Sequence, residues 1–242
     1  MFVSLFGIIY CNFAFKLLLY IHMEMFTHYN TIIFDLDGTL LNTLPDLQAS
    51  CNYALQLCGF PQRSFEEVRC FVGNGVRKLM ERAAPSDVSD GEFEKMFMIF
   101  KQHYLEHGLD RTAPYEGVVE VMRELKQRGF KTAVISNKFH AATQELCNHF
   151  FNGLLDMCIG EHEGFRRKPS PDMMNEVLSV LQANKATTVY VGDSDVDIET
   201  ARQGGVSCIS VLWGFRDRDF LLDHGATCLV EKPIDLLSLL VQ

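Results

Sequence analysis

Five short runs of apolar and β-branched residues constrain the fold of this chain more than any other feature. In each run the apolar character is continuous instead of alternating, which is typical of strands buried on both faces of a sheet. Each run ends in a turn or a polar cluster, as a strand does where it leaves a sheet. The runs are Thr31–Phe34, Thr132–Ile135, Thr188–Val191, Cys208–Val211 and Thr227–Val230.

Helical periodicity separates these runs. Two segments, residues 117–128 and 171–182, repeat apolar residues at helical spacing, and Gly129 is a suitable stop for the first. A strand followed by a helix, repeated along the chain, predicts an α/β fold with a Rossmann-like parallel-sheet core. The two apolar stripes are Val118, Val121, Met122 and Leu125, and Met174, Val177, Leu178 and Leu181.

A segment without a convincing strand interrupts this pattern after the first run. Its apolar residues recur at helical spacing, and Pro45 and Pro114 lie at its edges, where a boundary or hinge is expected. We therefore predict an inserted α-helical cap domain over residues 44–113. The α/β core then consists of residues 29–43 and 114–242.

The charge balance of the chain is acidic. Among its 242 residues, 31 Asp and Glu outnumber 22 Lys and Arg, and the formal net charge is −9. Nucleic-acid binding normally needs a basic face, so we predict no nucleic-acid partner. None of the eight cysteines forms a Cys-x-x-Cys pair, which argues against zinc-ribbon and thioredoxin-like sites. Their apolar surroundings favour buried free thiols in a reducing cytoplasm.

The first 28 residues form an apolar extension before the first predicted strand. The run from Met1 to Ile21 has its one basic residue, Lys16, inside the apolar stretch. A signal peptide carries basic residues before its apolar run, and a membrane-spanning helix avoids a central charge. We therefore predict that the native protein starts at Met23 or Met25 and that the upstream piece is a mis-called extension. A membrane anchor is the alternative.

Polar residues follow three of the predicted strands, and a fourth polar segment precedes a predicted helix. The carboxyl ends of parallel strands meet at one edge of a sheet, where ligands of open α/β sheets bind. Taken singly, each segment has a structural explanation, because Asp-Gly favours turns, aspartate caps helices and lysine is often a solvated cation. Taken together, they favour one reaction site. The segments are Asp35–Thr39, Ser136–Lys138, Arg167–Pro171 and Gly192–Asp197.

Other motif interpretations fail on their required residues. The aspartates at 193, 195 and 197 begin like an EF-hand loop, but Ile198 and Gly204 occupy the positions of its glycine and glutamate. Gly73 and Gly75 do not extend to a dinucleotide fingerprint, because Lys78 takes the place of the third glycine and no strand precedes them. The sequence also has no phosphate-binding Gly-Lys-Ser/Thr loop.

The order and spacing of the polar segments resemble the four motifs of the haloacid dehalogenase-like superfamily, over a match that runs from Thr31 to the C-terminus. Asn42 departs from the aspartate of many relatives, a difference that concerns the subgroup and not the chemistry. The matching residues are Asp35-Leu36-Asp37-Gly38-Thr39-Leu40, Ser136, Lys168-Pro169 and Gly192-Asp193-x-x-x-Asp197. Similarity to the phosphoglycolate phosphatase group lies in Gly73-Asn74-Gly75, Arg77 and Pro114-Tyr115-Glu116-Gly117.

The resemblance implies a Mg²⁺-dependent phosphatase that forms an aspartyl-phosphate on Asp35. Asp37 is then the acid that protonates the leaving group and the base that activates water, and it favours an oxygen leaving group over a halide, which needs no proton. The implied Mg²⁺ ligands are the Asp35 carboxylate, the Asp37 backbone carbonyl and Asp193. Lys168 and Ser136 are implied to hold phosphate oxygens.

Further residues complete the implied site. Asp197 orients a group that binds metal or substrate, and Asn137 contacts phosphate. In the cap, Gly73-Asn74-Gly75 present backbone to a small substrate and Arg77 meets its carboxylate; alternatively, they form a helix N-terminus and a surface cation. The resemblance also implies a core sheet of about five parallel strands and a cap that closes on hinges near residues 44–45 and 111–114.

We expect a small phosphorylated metabolite as the substrate. The leading candidate is 2-phosphoglycolate, and the alternatives are pyrophosphate and a sugar phosphate. A phosphomutase on the same core would retain the phosphoryl group instead of passing it to water. A protein of a different class, a non-catalytic regulator that binds a phosphorylated ligand, should lack at least one of four residues. All four are present, namely Asp35, Asp37, Lys168 and Asp193.

Overall fold

The computed structural model of the protein describes residues 29–241. The expected start at Met23 or Met25 and the alternative of a membrane anchor concern residues outside that range. Within it, every helix is too short or too polar to span a bilayer.

The described residues form eight strands and ten α-helices. The strands are β1 (Thr31–Phe34), β2 (Leu41–Asn42), β3 (Ala113–Pro114), β4 (Lys131–Phe139), β5 (Met157–Glu161), β6 (Thr188–Gly192), β7 (Ser207–Val211) and β8 (Leu229–Val230). The helices are α1 (Leu44–Leu57), α2 (Phe65–Phe71), α3 (Val76–Ala83), α4 (Asp90–His107), α5 (Val118–Gln127), α6 (His140–Phe151), α7 (Asp172–Val180), α8 (Asp195–Gly204), α9 (Arg218–Asp223) and α10 (Pro233–Leu240).

Six of the strands form one parallel sheet, which confirms the predicted α/β fold. Its order is β5-β4-β1-β6-β7-β8. Four predicted runs overlap β1, β4, β6 and β7, and the fifth forms a strand only at its last two residues, as β8. The strand β5 was not predicted, so the sheet has six strands where the family resemblance implied about five.

Both faces of the sheet are covered by helices, which explains why the strand sequences are apolar throughout. Successive residues of a strand point to opposite faces. Ile32 and Phe34 therefore pack on one face, in a cluster shared with α5, α6 and α10. Ile33 packs on the other face with Tyr190, α7 and α8. The predicted helices over residues 117–128 and 171–182 correspond to α5 and α7.

The helices α1 to α4 pack around a hydrophobic cluster of their own. Among the described residues, the α/β part contributes one member of this cluster, Phe215, which lies in the loop after β7. Capping boxes begin two of these helices, with Ser64 and Glu67 at α2 and Ser89 and Glu92 at α4. Each box satisfies backbone N–H groups that would otherwise lack partners at the start of the helix.

The short antiparallel ribbon of β2 and β3 connects this helical part to the sheet. Asn42 pairs with Ala113 in the ribbon, so the residue that departs from the family pattern lies in the connection. The buried Asp46 carboxylate accepts hydrogen bonds from Arg111 N at 2.9 Å and Thr112 N at 2.7 Å. One side chain thus holds the two connecting segments together.

Candidate active site

The turn after β1 places two carboxylates at the carboxyl edge of the sheet. Asp35 N donates to Val191 O at 2.9 Å, so this residue continues β1 alongside β6. The chain then turns at Gly38, whose φ is +88°. A Cβ on Gly38 would lie 2.4 Å from Asp193 Oδ2. The turn can therefore approach the aspartate of the fourth motif only because this residue has no side chain.

Lys168 joins two of the buried carboxylates at this edge. Its Nζ lies 2.8 Å from Asp35 Oδ1 and 2.8 Å from Asp197 Oδ1, and it donates to Tyr190 OH at 3.0 Å. Burial alone would lower the pKa of Lys168, but the charges of Asp197 and Asp35 raise it above its ordinary value. The ammonium therefore stays charged in the folded protein.

Asp193 is held on both sides by donors from other parts of the chain. Thr39 Oγ1 donates to its Oδ1 at 3.2 Å, and Phe215 N donates to its Oδ2 at 2.7 Å. Burial, followed by the charge of Asp197, raises the pKa of Asp193 to about 7. Burial and the charge of Asp197 also raise the pKa of Asp35, although Lys168 opposes this shift.

The acidic side chains fit a divalent cation. Asp35, Asp193 and Asp197 each bring one carboxylate oxygen within 4.8 Å of the others, and all three are buried. Among the described residues, the cation that forms ion pairs with this group is Lys168. Hard oxygen donors with excess negative charge are the surroundings that Mg²⁺ prefers in proteins.

Asp197 differs from the other two aspartates because its two oxygens together accept five hydrogen bonds. Its Oδ1 accepts from Lys168 Nζ at 2.8 Å and Tyr190 OH at 3.1 Å. Its Oδ2 accepts from Asp193 N at 3.2 Å, Ser194 N at 3.1 Å and Ser194 Oγ at 2.6 Å. Asp35 and Asp193 keep more lone pairs free for a cation, while Asp197 holds the lysine and the Asp193 backbone in place.

Ser136 and Asn137 lie in β4, beyond its regular pairing with β5. Ser136 is buried and lines the same cavity as Asp35. The Asn137 side chain is occupied: its Oδ1 accepts from Lys168 N at 2.8 Å, and its Nδ2 donates to Lys168 O at 3.1 Å and to Gly73 O at 3.2 Å. Asn137, which we expected to contact phosphate, thus holds the backbone of Lys168 and reaches the loop before α3.

Lys138 is a residue of this site whose role sequence reasoning missed. Its buried Nζ lies 3.1 Å from Asp37 Oδ1 and 2.8 Å from Tyr104 OH on α4. A lysine beside a serine and an asparagine at a strand end gave no indication of such a partner. Its burial, which only the three-dimensional fold determines, is what makes the pair significant.

The cap residues that we predicted to contact the substrate together lie in different surroundings in the structure. Gly73 and Gly75 line the cavity. The Asn74 side chain accepts from Arg82 Nη2 at 2.7 Å instead. Arg77, expected to meet a substrate carboxylate, forms a two-pronged ion pair with Glu94 at 2.7 and 2.9 Å. Arg77 lies on the side of α3 that faces α4, and its expected place in the cavity is not observed.

A cavity of about 40 Å³ lies between the sheet edge and the helices α1 and α3. Sequence reasoning missed Arg216, one of its lining residues, because an arginine in the loop after β7 has no motif around it. The lining residues are Asp35, Asp37, Leu47, Val72, Gly73, Gly75, Val76, Leu79, Ser136, Asn137, Lys138, Lys168, Asp193, Ser194, Phe215 and Arg216.

The chain is similar to known proteins over most of its length. Residues 32–211 match the family model described as haloacid dehalogenase-like hydrolase. A phosphoglycolate phosphatase of Aquifex aeolicus is 31% identical over 86% of this chain and 95% of its own length. One from Cereibacter sphaeroides is 34% identical over 85% of this chain and 96% of its own length.

A solved structure extends this similarity to three dimensions. The crystal structure of a candidate phosphoglycolate phosphatase from Lactobacillus delbrueckii subsp. bulgaricus superposes with a TM-score of 0.84 and 36% identity, covering 89% of this chain and all of the other. The sheet, the motif residues at its carboxyl edge and the family match agree with one another. This chain therefore belongs to the haloacid dehalogenase-like hydrolase family.

Proposed function

We propose that the protein is a Mg²⁺-dependent phosphatase that hydrolyses a small phosphate monoester through an aspartyl-phosphate on Asp35. The observation that carries this proposal is the buried group of Asp35, Lys168 and Asp193 at the carboxyl edge of the sheet. The proposed substrate is 2-phosphoglycolate, because the relatives from Aquifex aeolicus and Cereibacter sphaeroides are phosphoglycolate phosphatases.

Asp35 has one oxygen suited to attack phosphorus. Its Oδ1 accepts from Leu36 N at 2.7 Å and lies 2.8 Å from Lys168 Nζ. No hydrogen-bond donor among residues 29–241 contacts Oδ2, which leaves that oxygen as the nucleophile. The attack forms a bond from Oδ2 to phosphorus and breaks the bond from phosphorus to the ester oxygen.

Asp37 is placed to handle the protons of both half-reactions. It lies two residues after Asp35 and lines the same cavity. We propose that its carboxyl group protonates the departing alkoxide and then takes a proton from the water that hydrolyses the aspartyl-phosphate. An oxygen leaving group requires this proton, so Asp37 favours an ester over a halide as the substrate.

The negative charge of the site must be neutralised before a dianionic phosphate can enter. Asp35, Asp193 and the Asp37 carbonyl would hold Mg²⁺, which supplies a Lewis acid for the phosphoryl oxygens when it is bound. Lys168 provides a fixed positive charge beside the nucleophile. The Ser136 hydroxyl lines the cavity and can donate to another phosphoryl oxygen.

We propose that residues 44–113 form a cap domain over a catalytic core of residues 29–43 and 114–242. The separate hydrophobic cluster of α1 to α4 supports this division, as does the β2–β3 ribbon at its boundary. Groups from both parts line the cavity, so closure of the cap would exclude water from the aspartyl-phosphate.

The similarity to phosphoglycolate phosphatases favours 2-phosphoglycolate over a sugar phosphate and over pyrophosphate. The seven cysteines among the described residues are all free thiols. They support a reducing compartment, and we propose that the protein acts in the cytoplasm.

Phosphate release from a panel of esters, pyrophosphate and sugar phosphates tests the proposal, with Mg²⁺ and with a chelator. We expect turnover of 2-phosphoglycolate that the chelator abolishes and that Asp35→Asn reduces by about 1000-fold or more. Asp87→Asn, at an exposed position, is the control and should retain activity. Absence of phosphate release from every ester by folded, Mg²⁺-supplied protein would refute the phosphatase and favour a mutase or a binding protein.

A further inference from the structure

We propose that Arg216 binds a second anionic group of the substrate, and that the protein therefore selects phosphate monoesters that carry a carboxylate on a short leaving group. The inference rests on the proposed phosphatase activity. It adds the residue that recognises the leaving group, a role that sequence comparison with the family led us to expect of Arg77.

Three cations line the cavity, and two of them already have carboxylate partners. Lys168 pairs with Asp35 at 2.8 Å, and Lys138 pairs with Asp37 at 3.1 Å. Arg216 forms no ion pair with any carboxylate in the described part of the chain. It is thus the cavity cation whose charge a substrate anion can balance.

The hydrogen bonds of Arg216 hold its guanidinium in place without neutralising it. Nη1 donates to Arg69 O at 2.9 Å, and Nη2 donates to Val72 O at 2.8 Å and to Cys70 O at 3.4 Å. These carbonyls lie at the C-terminal end of α2, where the partial negative charge of a helix favours a cation. Three of the five N–H groups are used in this way, and the others remain to bind an anion.

The position of Arg216 suits the far end of a short substrate. The preceding residue, Phe215, donates its N–H to Asp193 Oδ2 at 2.7 Å, which fixes this loop to a proposed metal ligand. Gly73 lies beside the guanidinium, since a Cβ there would be 3.6 Å from Arg216 Nη2. Arg216 and Asp35 line the same cavity, which places the guanidinium in the pocket of the proposed nucleophile.

Two other arginines near the glycine loop lack this freedom. Arg77 is paired with Glu94 on both of its Nη atoms. Arg167 is paired with Glu161 at 3.0 Å and also donates to Asn74 O at 3.1 Å. Neither of them lines the cavity. A guanidinium without a carboxylate partner attracts a substrate carboxylate, which can accept from the N–H groups that the α2 carbonyls leave free.

A purely structural role for Arg216 predicts a different result, because the contact between the two parts of the protein is reciprocal. Arg69, on α2, donates from Nη1 to Phe215 O at 2.7 Å, and Arg216 donates back to Arg69 O. If Arg216 only fastened α2 to the core, its loss would affect all esters alike. Loss of Arg69, which pairs with Glu66 outside the cavity, would then have the same effect.

The test compares two esters of the same length, 2-phosphoglycolate and 2-hydroxyethyl phosphate, in which a neutral hydroxymethyl group replaces the carboxylate. The variants are Arg216→Gln, which keeps an amide donor for the α2 carbonyls but removes the charge, and Arg69→Gln as the matched control. We expect Arg216→Gln to lower kcat/KM for 2-phosphoglycolate by about 10- to 100-fold and for the neutral ester by about threefold or less. Arg69→Gln should change both esters equally.

The outcomes of this comparison distinguish substrate selection by Arg216 from a purely structural role. An equal loss on both esters in Arg216→Gln, or no loss on either, overturns the selection role and leaves at most a structural contact. Wild-type protein that hydrolyses neither ester with Mg²⁺ present would instead refute the phosphatase activity on which the inference rests. Urea unfolding of both variants shows whether a lost activity reflects lost folding.

Discussion

The Lys138 ammonium lies 3.1 Å from Asp37 Oδ1, and the Tyr104 hydroxyl lies 2.8 Å from the same ammonium. Burial alone would lower the pKa of Lys138, but the Asp37 carboxylate and Tyr104 raise it above its ordinary value. Asp37 belongs to the turn after β1 and Tyr104 to α4. The lysine therefore connects the proposed general acid to the proposed cap.

Replacing Lys138 by Met should destabilise the protein, because it leaves the largely buried Asp37 carboxylate without its cation. We expect the free energy of unfolding in urea to fall by about 3 kcal/mol. Tyr104→Phe removes one hydrogen bond and should cost about 1 kcal/mol. Lys78→Met is the control, since its pair with Glu81 is exposed and should contribute about 0.5 kcal/mol or less. Wild-type stability in Lys138→Met would contradict the ion pair.

Gly38→Ala should disrupt both the fold and the proposed metal site. The new Cβ would lie 2.4 Å from Asp193 Oδ2, and φ at this residue is +88°. We expect a loss of about 2 kcal/mol or more in unfolding free energy and a loss of Mg²⁺-dependent activity. Gly59→Ala is the matched control: φ there is +77°, but no atom lies within 4 Å of the new Cβ. An equal loss of unfolding free energy in the two variants would show that backbone strain alone causes the effect, and that the contact with Asp193 contributes nothing.

The stability of the Mg²⁺-free protein should fall as the pH rises towards 7. Burial and Asp197 raise the pKa of Asp193 to about 7, so the native protein holds this proton more tightly than the unfolded chain. The stabilisation is therefore complete below the ordinary aspartate pKa of about 4 and is lost as the pH rises through the folded value. Thermal unfolding in chelator at a series of pH values measures this loss.

With Mg²⁺ present, the stability of the protein should instead rise with pH, because Mg²⁺ binds the deprotonated Asp193 carboxylate. Below about pH 7 its affinity should fall roughly tenfold per pH unit. Its stabilising effect on Tm should then be larger at about pH 8 than at about pH 5.5. Asp193→Asn should remove the Mg²⁺ effect at both pH values. An equal gain in Tm at the two pH values would contradict the assignment of Asp193 as a metal ligand.

The parts of the structure that sequence predicted are those with a strong local pattern. Asp35 follows Thr31–Phe34, a run apolar enough to indicate a strand buried on both faces, so the position of Asp35 at the sheet edge could be predicted. The strand Met157–Glu161 was missed because its residues, Met-Cys-Ile-Gly-Glu, form neither a β-branched run nor an alternating pattern. Pairing with β4 makes it a strand.

The roles of single charged residues were harder to predict, because they depend on long-range contacts. Lys138 and Arg216 both resemble surface cations in the sequence, and only folding brings them to Asp37 and to the carbonyls of α2. Arg77 is the opposite case. Its place beside Gly75 suggested the substrate, but the rotation of α3 directs it to Glu94.

Trapping of the aspartyl-phosphate tests the central claim most directly. Protein turning over 2-phosphoglycolate with Mg²⁺ is quenched in acid, digested and analysed by mass spectrometry, alongside Asp35→Asn. The account predicts phosphate on the wild-type peptide that contains Asp35, and none on the corresponding peptide of Asp35→Asn. Active wild-type protein whose phosphate is carried by another residue, or Asp35→Asn with full activity, would contradict it.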